Sequence, residues 1–168
     1  AFIAQRGDKA WKGLYTVLSL AGFALLVWGY GMARQQPTVL WAAPPVWTRH
    51  LAALLTLISF VLIAAANVPR NGIRARLHHP MTLGVKVWAL AHLTANNTLA
   101  DLLLFGGFLV WSIVLFASAR RRDRAAGKTY APGTASRTVL TVVIGVVLWV
   151  VFAFWAHGWL IGVRPFAR

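Results

Sequence analysis

The stretch TVLTVVIGVVLWVVFAFWAHGWLIGV, residues 138–163, is the longest part of the chain without a charged side chain. As a helix rising 1.5 Å per residue it is about 39 Å long. That length exceeds the roughly 30 Å hydrocarbon core of a bilayer. The stretch is apolar on every face, and a small water-soluble bundle cannot bury such a helix. It therefore predicts a membrane-spanning helix and indicates the class of the whole fold.

Four more apolar stretches precede it, and each predicts a further span. They are residues 14–33, 47–68, 80–95 and 99–119. The third is the weakest because it is short and contains Lys86. An alternative is that 80–119 forms one re-entrant hairpin. We predict an all-α, polytopic transmembrane helical bundle with five spans, forming a single domain over residues 1–168.

The composition supports this class. The chain has a net charge of +14 from 17 Lys and Arg against three Asp, yet it is 59% hydrophobic and only 12% charged. A soluble nucleic-acid-binding protein normally carries about a quarter of charged residues. We therefore expect the lipid bilayer, and no nucleic acid, as a partner.

The distribution of the basic residues predicts an orientation, because Lys and Arg collect in cytoplasmic loops. With five spans and the N-terminus inside, 12 basic residues fall on the inner side. They are Arg6, Lys9, Lys12, Arg70, Arg74, Arg76, Arg120, Arg121, Arg122, Arg124, Lys128 and Arg137. Four fall outside: Arg34, Arg49, Arg164 and Arg168. This asymmetry places the N-terminus inside and the C-terminus outside.

The residue types that are missing narrow the chemistry. Without cysteine there is no thiolate metal site or covalent haem attachment. With no glutamate and only Asp8, Asp101 and Asp123, a carboxylate-bridged di-iron site is not expected. The five histidines are therefore the best candidates for ligands or reactive groups.

Three histidines are predicted at the same depth. His50 begins the second span, His92 lies near the end of the third, and His157 lies in the last turns of the fifth, all toward the outside. Imidazole is a common metal ligand and a haem axial ligand. Arg49 could hold a haem propionate at the rim. Each histidine also has a structural alternative: His50 as an interfacial residue, and His157 as a hydrogen-bond donor to another helix.

The inner-side histidines are weaker candidates. His78 lies in a basic loop and is expected to be solvated. His79 precedes Pro80, so a role at the start of a helix competes with a functional one. On a straight helix His79 and His92 would face roughly opposite sides, so we do not expect them to form one site.

Several short motifs together resemble the NnrU family of integral membrane proteins, over nearly the whole chain. They are KGLY (12–15), WGYG (28–31), RHL (49–51), RLHHPM (76–81), GVKVWALAHL (84–93), NN (96–97), LLFG (103–106) and HGWLIGV (157–163). The family is associated with nitrite and nitric oxide metabolism in denitrifying bacteria. Its domain also occurs in plant and cyanobacterial ζ-carotene isomerase, which carries a b-type haem. The resemblance implies a bacterial inner-membrane location and possible binding of haem b.

The resemblance also bears on individual residues. The isomerase pattern has a His-Pro pair followed by a haem-ligating histidine, and these match His79 and His92 here. His92 is thus the first candidate for an axial ligand of the haem iron, and His79 is a less favoured one. A cysteine that the isomerase has between them is Ala89 in this chain, so a Cys–His ligand switch is not expected.

Relatives usually begin with another span whose histidine is the second ligand. This sequence starts at Ala1, where that span would have ended, so a sixth, N-terminal span is expected to be missing from it. Without that histidine, His92 would need His50 or His157 as its partner. The family pattern and the depth of the histidines favour different partners, and both stay open.

The function predicted from these features is a redox-linked role. It could be isomerisation of a polyene such as a carotenoid, or a step linked to nitrogen-oxide metabolism and denitrification, with an apolar polyene or quinone-like ligand. Enzymatic activity is left open; an enzyme of this kind would be a haem-dependent isomerase or redox protein. The alternative is a non-enzymatic accessory or assembly subunit that packs against other membrane subunits through its glycines.

Overall fold

In the computed structural model of the chain, residues 2–166 are described, with their side chains from residue 7 onward. These residues form seven α-helices: α1 (Phe2–Ala33), α2 (Val46–Asn67), α3 (Gly72–Leu77), α4 (Pro80–Ala95), α5 (Leu99–Ala125), α6 (Ala135–Val151) and α7 (His157–Ile161). A π-helical turn, Phe152–Ala156, joins α6 to α7. No β-strand occurs within residues 2–166. The prediction of an all-α fold is confirmed.

The chain divides into two compact units. The first ends at Val39 and contains a single helix, α1, which is interrupted at Gly7 by a non-helical conformation with φ of 80°. The second unit begins at Leu40 and contains α2 to α7. Every candidate site residue lies in the second unit.

Within the described residues, four helical segments are long and apolar enough to cross a membrane: Gly7–Ala33, Val46–Asn67, Leu99–Ala125 and Ala135–Ile161. This number does not confirm the predicted five. The segment 80–95 does form a helix, α4, but it has 16 residues and is therefore about 24 Å long. That is shorter than the roughly 30 Å hydrocarbon core. Length and composition thus indicate a membrane protein without establishing a fifth span.

Polar caps set the boundaries of two long helices. Thr98 accepts a hydrogen bond from the backbone N–H of Asp101 at the start of α5, and Thr134 does the same for Arg137 at the start of α6. Such side-chain acceptors satisfy backbone donors that a helix N-terminus leaves open. Helix α5 runs six residues beyond its predicted end at residue 119, because arginines favour the C-terminal turns of a helix.

Helix α2 is the centre of the second unit, with α4 and α6 packed on different sides of it and α5 packed on α4. Two glycines allow close approach. A Cβ at Gly84 of α4 would lie 3.1 Å from the carbonyl oxygen of Ser59, and one at Gly145 of α6 would lie 2.6 Å from the Cα of Val61. Small residues let membrane helices pack backbone against backbone in this way.

Hydrogen bonds lock the helices at both ends of the unit. At one end Asn97 bonds to the segment before α2. The Leu40 N–H donates to the backbone carbonyl of Asn97 (2.9 Å), and the side-chain amide of Asn97 donates to the carbonyl of Trp41 (2.8 Å). At the other end the amide of buried Asn71 donates to Ala65 (2.9 Å), and Gly72 N–H donates to Thr138 of α6 (2.8 Å). We refer to these as the Asn97 end and the Asn71 end.

Candidate functional site

His92 lies in the last turn of α4, at the Asn97 end, and is half-buried. Its ring stacks on Phe105 of α5 with centroids 4.5 Å apart and lies 5.0 Å from the Trp88 ring. Its Nδ1 is 2.9 Å from the carbonyl oxygen of Trp88. Because a carbonyl can only accept, Nδ1 must carry the proton and Nε2 keeps its lone pair. This is the tautomer in which an imidazole binds a metal through Nε2.

His157 adopts the same tautomer at the start of α7. Its Nδ1 lies 2.6 Å from the carbonyl oxygen of Val163, so its Nε2 also keeps a lone pair. The ring packs edge-to-face on Phe152, with centroids 5.7 Å apart. Phe152 begins the π-helical turn that immediately precedes His157. Such turns are rare and are frequent at functional sites.

The other outer-side candidates occupy the same end of the unit. His50 and Arg49 are exposed on the first turns of α2. Helix α6 runs antiparallel to α2, with the Trp149 indole bonded to Thr56, so His157 also lies toward the Asn97 end, where Asp101 stands in the first turn of α5. Asp101 is buried and accepts a hydrogen bond from the Thr98 hydroxyl (2.6 Å). The three histidines predicted at one depth thus share one end of the unit.

A second group of polar side chains gathers at the Asn71 end. His79 Nε2 lies 2.7 Å from the Asp123 carboxylate, the Tyr130 hydroxyl donates to the same oxygen, and Lys128 lies 3.6 Å from the other one. We call these residues, with His78 and Arg120, the Asp123 cluster. Burial and the hydrogen bond to Asp123 raise the pKa of Tyr130 above its ordinary value, so the phenol remains a donor at neutral pH.

The structure gives both His78 and His79 side-chain partners in this cluster. His78 is held in the cluster rather than simply solvated: its ring stacks on Tyr130 with centroids 4.2 Å apart, and it hydrogen-bonds Arg120. His79 makes no side-chain cap for α4. It faces α5, as His92 does, because its backbone (φ −121°, ψ 61°) lies outside the helix and the 100° rotation per residue does not extend to it.

The Asp123 cluster is hard to predict from the sequence. The bond between His79 and Asp123 joins residues 44 positions apart, and Asp123 stands among four arginines in the run RRRDR at 120–124. A lone acid inside a basic run was the available signal. The positive charge of that run predicts orientation, with docking to anionic lipid or an acidic partner as the alternative, and neither interpretation uses the carboxylate.

No group of three or more histidine and carboxylate side chains that could hold a metal ion is found in the described part of the chain. His92 and His157 at the Asn97 end therefore offer two candidate ligands rather than a complete metal centre. Comparison with known proteins gives one positive result: the family model described as NnrU protein matches residues 1–165. No curated protein and no solved structure matches the chain.

Proposed function

Because the chain belongs to the NnrU family, we propose that it is a bacterial inner-membrane protein that binds haem b at the Asn97 end and has a redox-linked role. His92 and His157 are the proposed axial ligands. His50 is the reserve candidate for the second ligand. Trp88 and Phe105 supply aromatic walls beside His92.

One observation carries the proposal: two imidazoles at the same end of the unit each donate Nδ1–H to a backbone carbonyl. A second-shell acceptor of this kind fixes the ring orientation and the tautomer of a metal-ligating histidine. The bonds measure 2.9 Å for His92 and 2.6 Å for His157. Two such histidines fit the donor set of a b-type haem, which needs no covalent attachment. Arg49, exposed at the rim, is the proposed partner of a propionate.

A bound haem supplies one-electron redox chemistry. The residues of this chain would hold the cofactor, fix its two ligands and surround it with apolar side chains. The chain has only three side-chain carboxylates for acid–base catalysis, so the proposed chemistry depends on the cofactor. A polyene or quinone-like ligand is the proposed substrate class, because the surroundings of the site are apolar.

The visible spectrum tests the haem proposal directly. The protein is expressed with added haem precursor, purified in mild detergent and measured in the oxidised and dithionite-reduced forms. We expect a Soret band that shifts on reduction, with sharp α and β bands typical of two histidine ligands. A preparation without a Soret band under haem-replete expression would contradict the proposal and favour the accessory-subunit alternative.

We further propose five crossings, with α4 as the short third one. Support comes from its neighbours: Gly84 lies beside Ser59 in the middle of α2, and Asn97, just after α4, bonds to the segment that precedes α2. Helix α4 thus runs from the Asn71 end toward the Asn97 end, and α5 returns. Lys86 lies over the Phe116 ring, 4.7 Å from its centroid, which shelters this charge from lipid.

Single cysteines distinguish five crossings from four. In this naturally cysteine-free chain, we expect Ala42→Cys to react with a membrane-impermeant maleimide in intact cells, and Ala126→Cys to react only after lysis. With four crossings both would react from outside, because α5 would then end on the same side as residue 42. External labelling at both positions therefore excludes the five-span topology.

A further inference from the structure

Two cavities open at the Asn71 end, beside the ends of three long helices. One, of about 150 Å³, is lined by residues that include His78, Arg120, Asp123, Arg124 and Lys128. The other, of about 240 Å³, is lined by residues that include Arg70, Arg74, Lys128 and Tyr130. Lys128 lines both, so the cavities are adjacent. Neither cavity is lined by His92 or His157.

The charge of these cavities is strongly one-sided. Five cationic side chains line them, and Asp123 is the only carboxylate. That carboxylate is already engaged by His79, Tyr130 and Lys128. The larger cavity has no acid in its lining at all. A site of this composition favours an anion.

The backbone adds a separate observation. Two residues other than glycine have positive φ within residues 2–166: Arg70 at 58° and His78 at 66°. Each lines one of the two cavities. Residues that carry a Cβ rarely adopt this backbone conformation, because it is strained. Strained residues cluster at functional sites, and here the strained backbone directs a cationic or imidazole side chain at each cavity.

The surrounding helices indicate where the anion comes from. Helix α2 ends at Asn67, α5 ends at Ala125 and α6 begins at Ala135, and each belongs to a segment that is long and apolar enough to cross a membrane. Their shared end therefore lies near the boundary between hydrocarbon and headgroups. Basic pockets between membrane helices at this level bind anionic headgroups. We propose that these two cavities form a binding site for the phosphate headgroup of an anionic phospholipid, a role independent of haem.

The test compares lipids that differ only in headgroup. Delipidated protein in a neutral maltoside detergent is titrated with dioleoyl phosphatidylglycerol or dioleoyl phosphatidylcholine, and bound lipid is counted by native mass spectrometry. We expect preferential binding of phosphatidylglycerol. The double variant Arg70→Gln/Arg74→Gln should bind it roughly 30-fold more weakly, from the effect of two cations near a lipid surface.

The matched control is Arg121→Gln/Arg137→Gln, which removes the same charge from two exposed arginines outside both cavities. It should bind the lipid nearly as the parent does. Both variants must elute as monodisperse protein. Equal binding of the two lipids, an unaffected cavity variant, or an equal loss in the control would each overturn the proposal. Inorganic phosphate that displaces phosphatidylglycerol at equal concentration would also overturn it, by assigning the cavities to a soluble anion.

Discussion

Haem binding is expected to be lost when His92 is replaced by alanine. The imidazole Nε2 of His92 is the atom proposed to bind iron. The ring is held in place by its hydrogen bond to the Trp88 carbonyl and by stacking on Phe105. Removing an outer partner of a metal ligand typically lowers metal affinity 10- to 100-fold. Removing the ligand itself should therefore lower haem affinity by at least roughly 100-fold. The measurement is the ratio of Soret to protein absorbance after purification.

Two companion variants identify the second ligand. His157→Ala should keep a reduced amount of haem but convert a six-coordinate low-spin spectrum to a five-coordinate high-spin one. His79→Ala is the matched control, because His79 lies at the other end of α4 in the Asp123 cluster, and its spectrum should match that of the parent. An unchanged spectrum in His92→Ala would remove that residue as a ligand. A high-spin change in His50→Ala instead would move the second ligand to α2.

Replacing Gly145 by leucine is expected to separate α6 from α2. A Cβ at this position would lie 2.6 Å from the Cα of Val61 and 2.9 Å from its backbone nitrogen. No rotamer relieves a clash with backbone, so the helix must move, at a cost of about 3 kcal/mol. The movement should also break the 3.0 Å hydrogen bond from the Trp149 indole to Thr56. We expect a clearly lower midpoint of thermal unfolding in detergent.

The matched control is Gly107→Leu. This glycine lies on an exposed face of α5, with nothing within 4 Å of the added Cβ. It is helical, as Gly145 is, and leucine is a better helix former than glycine. Its unfolding midpoint should be unchanged or slightly higher. A similar loss in both variants would show that leucine at either position is harmful for reasons other than the α2–α6 contact.

Much of the fold was predictable because the apolar stretches are long and free of charge. Residues 138–163 and 99–119 correspond to helices that are long enough to span a membrane. The span count was less predictable, since the 80–95 stretch forms a helix too short to qualify by length. Its packing on α2 depends on Gly84 and Ser59, a contact that hydropathy along one chain does not reveal.

The site was predictable in type rather than in geometry. The scarcity of carboxylates and the absence of cysteine leave the histidines as the best candidate ligands. The predicted depth in the membrane places His92 at the same level as His157. Their tautomers depend on carbonyl groups of Trp88 and Val163, which are set by tertiary structure and by the π-helical turn. The Asp123 cluster forms because the loop after α5 brings Lys128 and Tyr130 back to Asp123. The contact between His79 and Asp123 spans 44 residues, and no local sequence pattern predicts it.

The arrangement in which α4 and α6 pack on different sides of α2 also determines how a ligand could arrive. Under the proposed function, a polyene or quinone-like ligand would reach the haem site from the acyl chains between these helices. It would be delivered by lateral diffusion within one leaflet, and occupancy would follow the mole fraction of the ligand in the lipid. Diluting the substrate with inert phospholipid, at constant total aqueous concentration, should then lower the turnover.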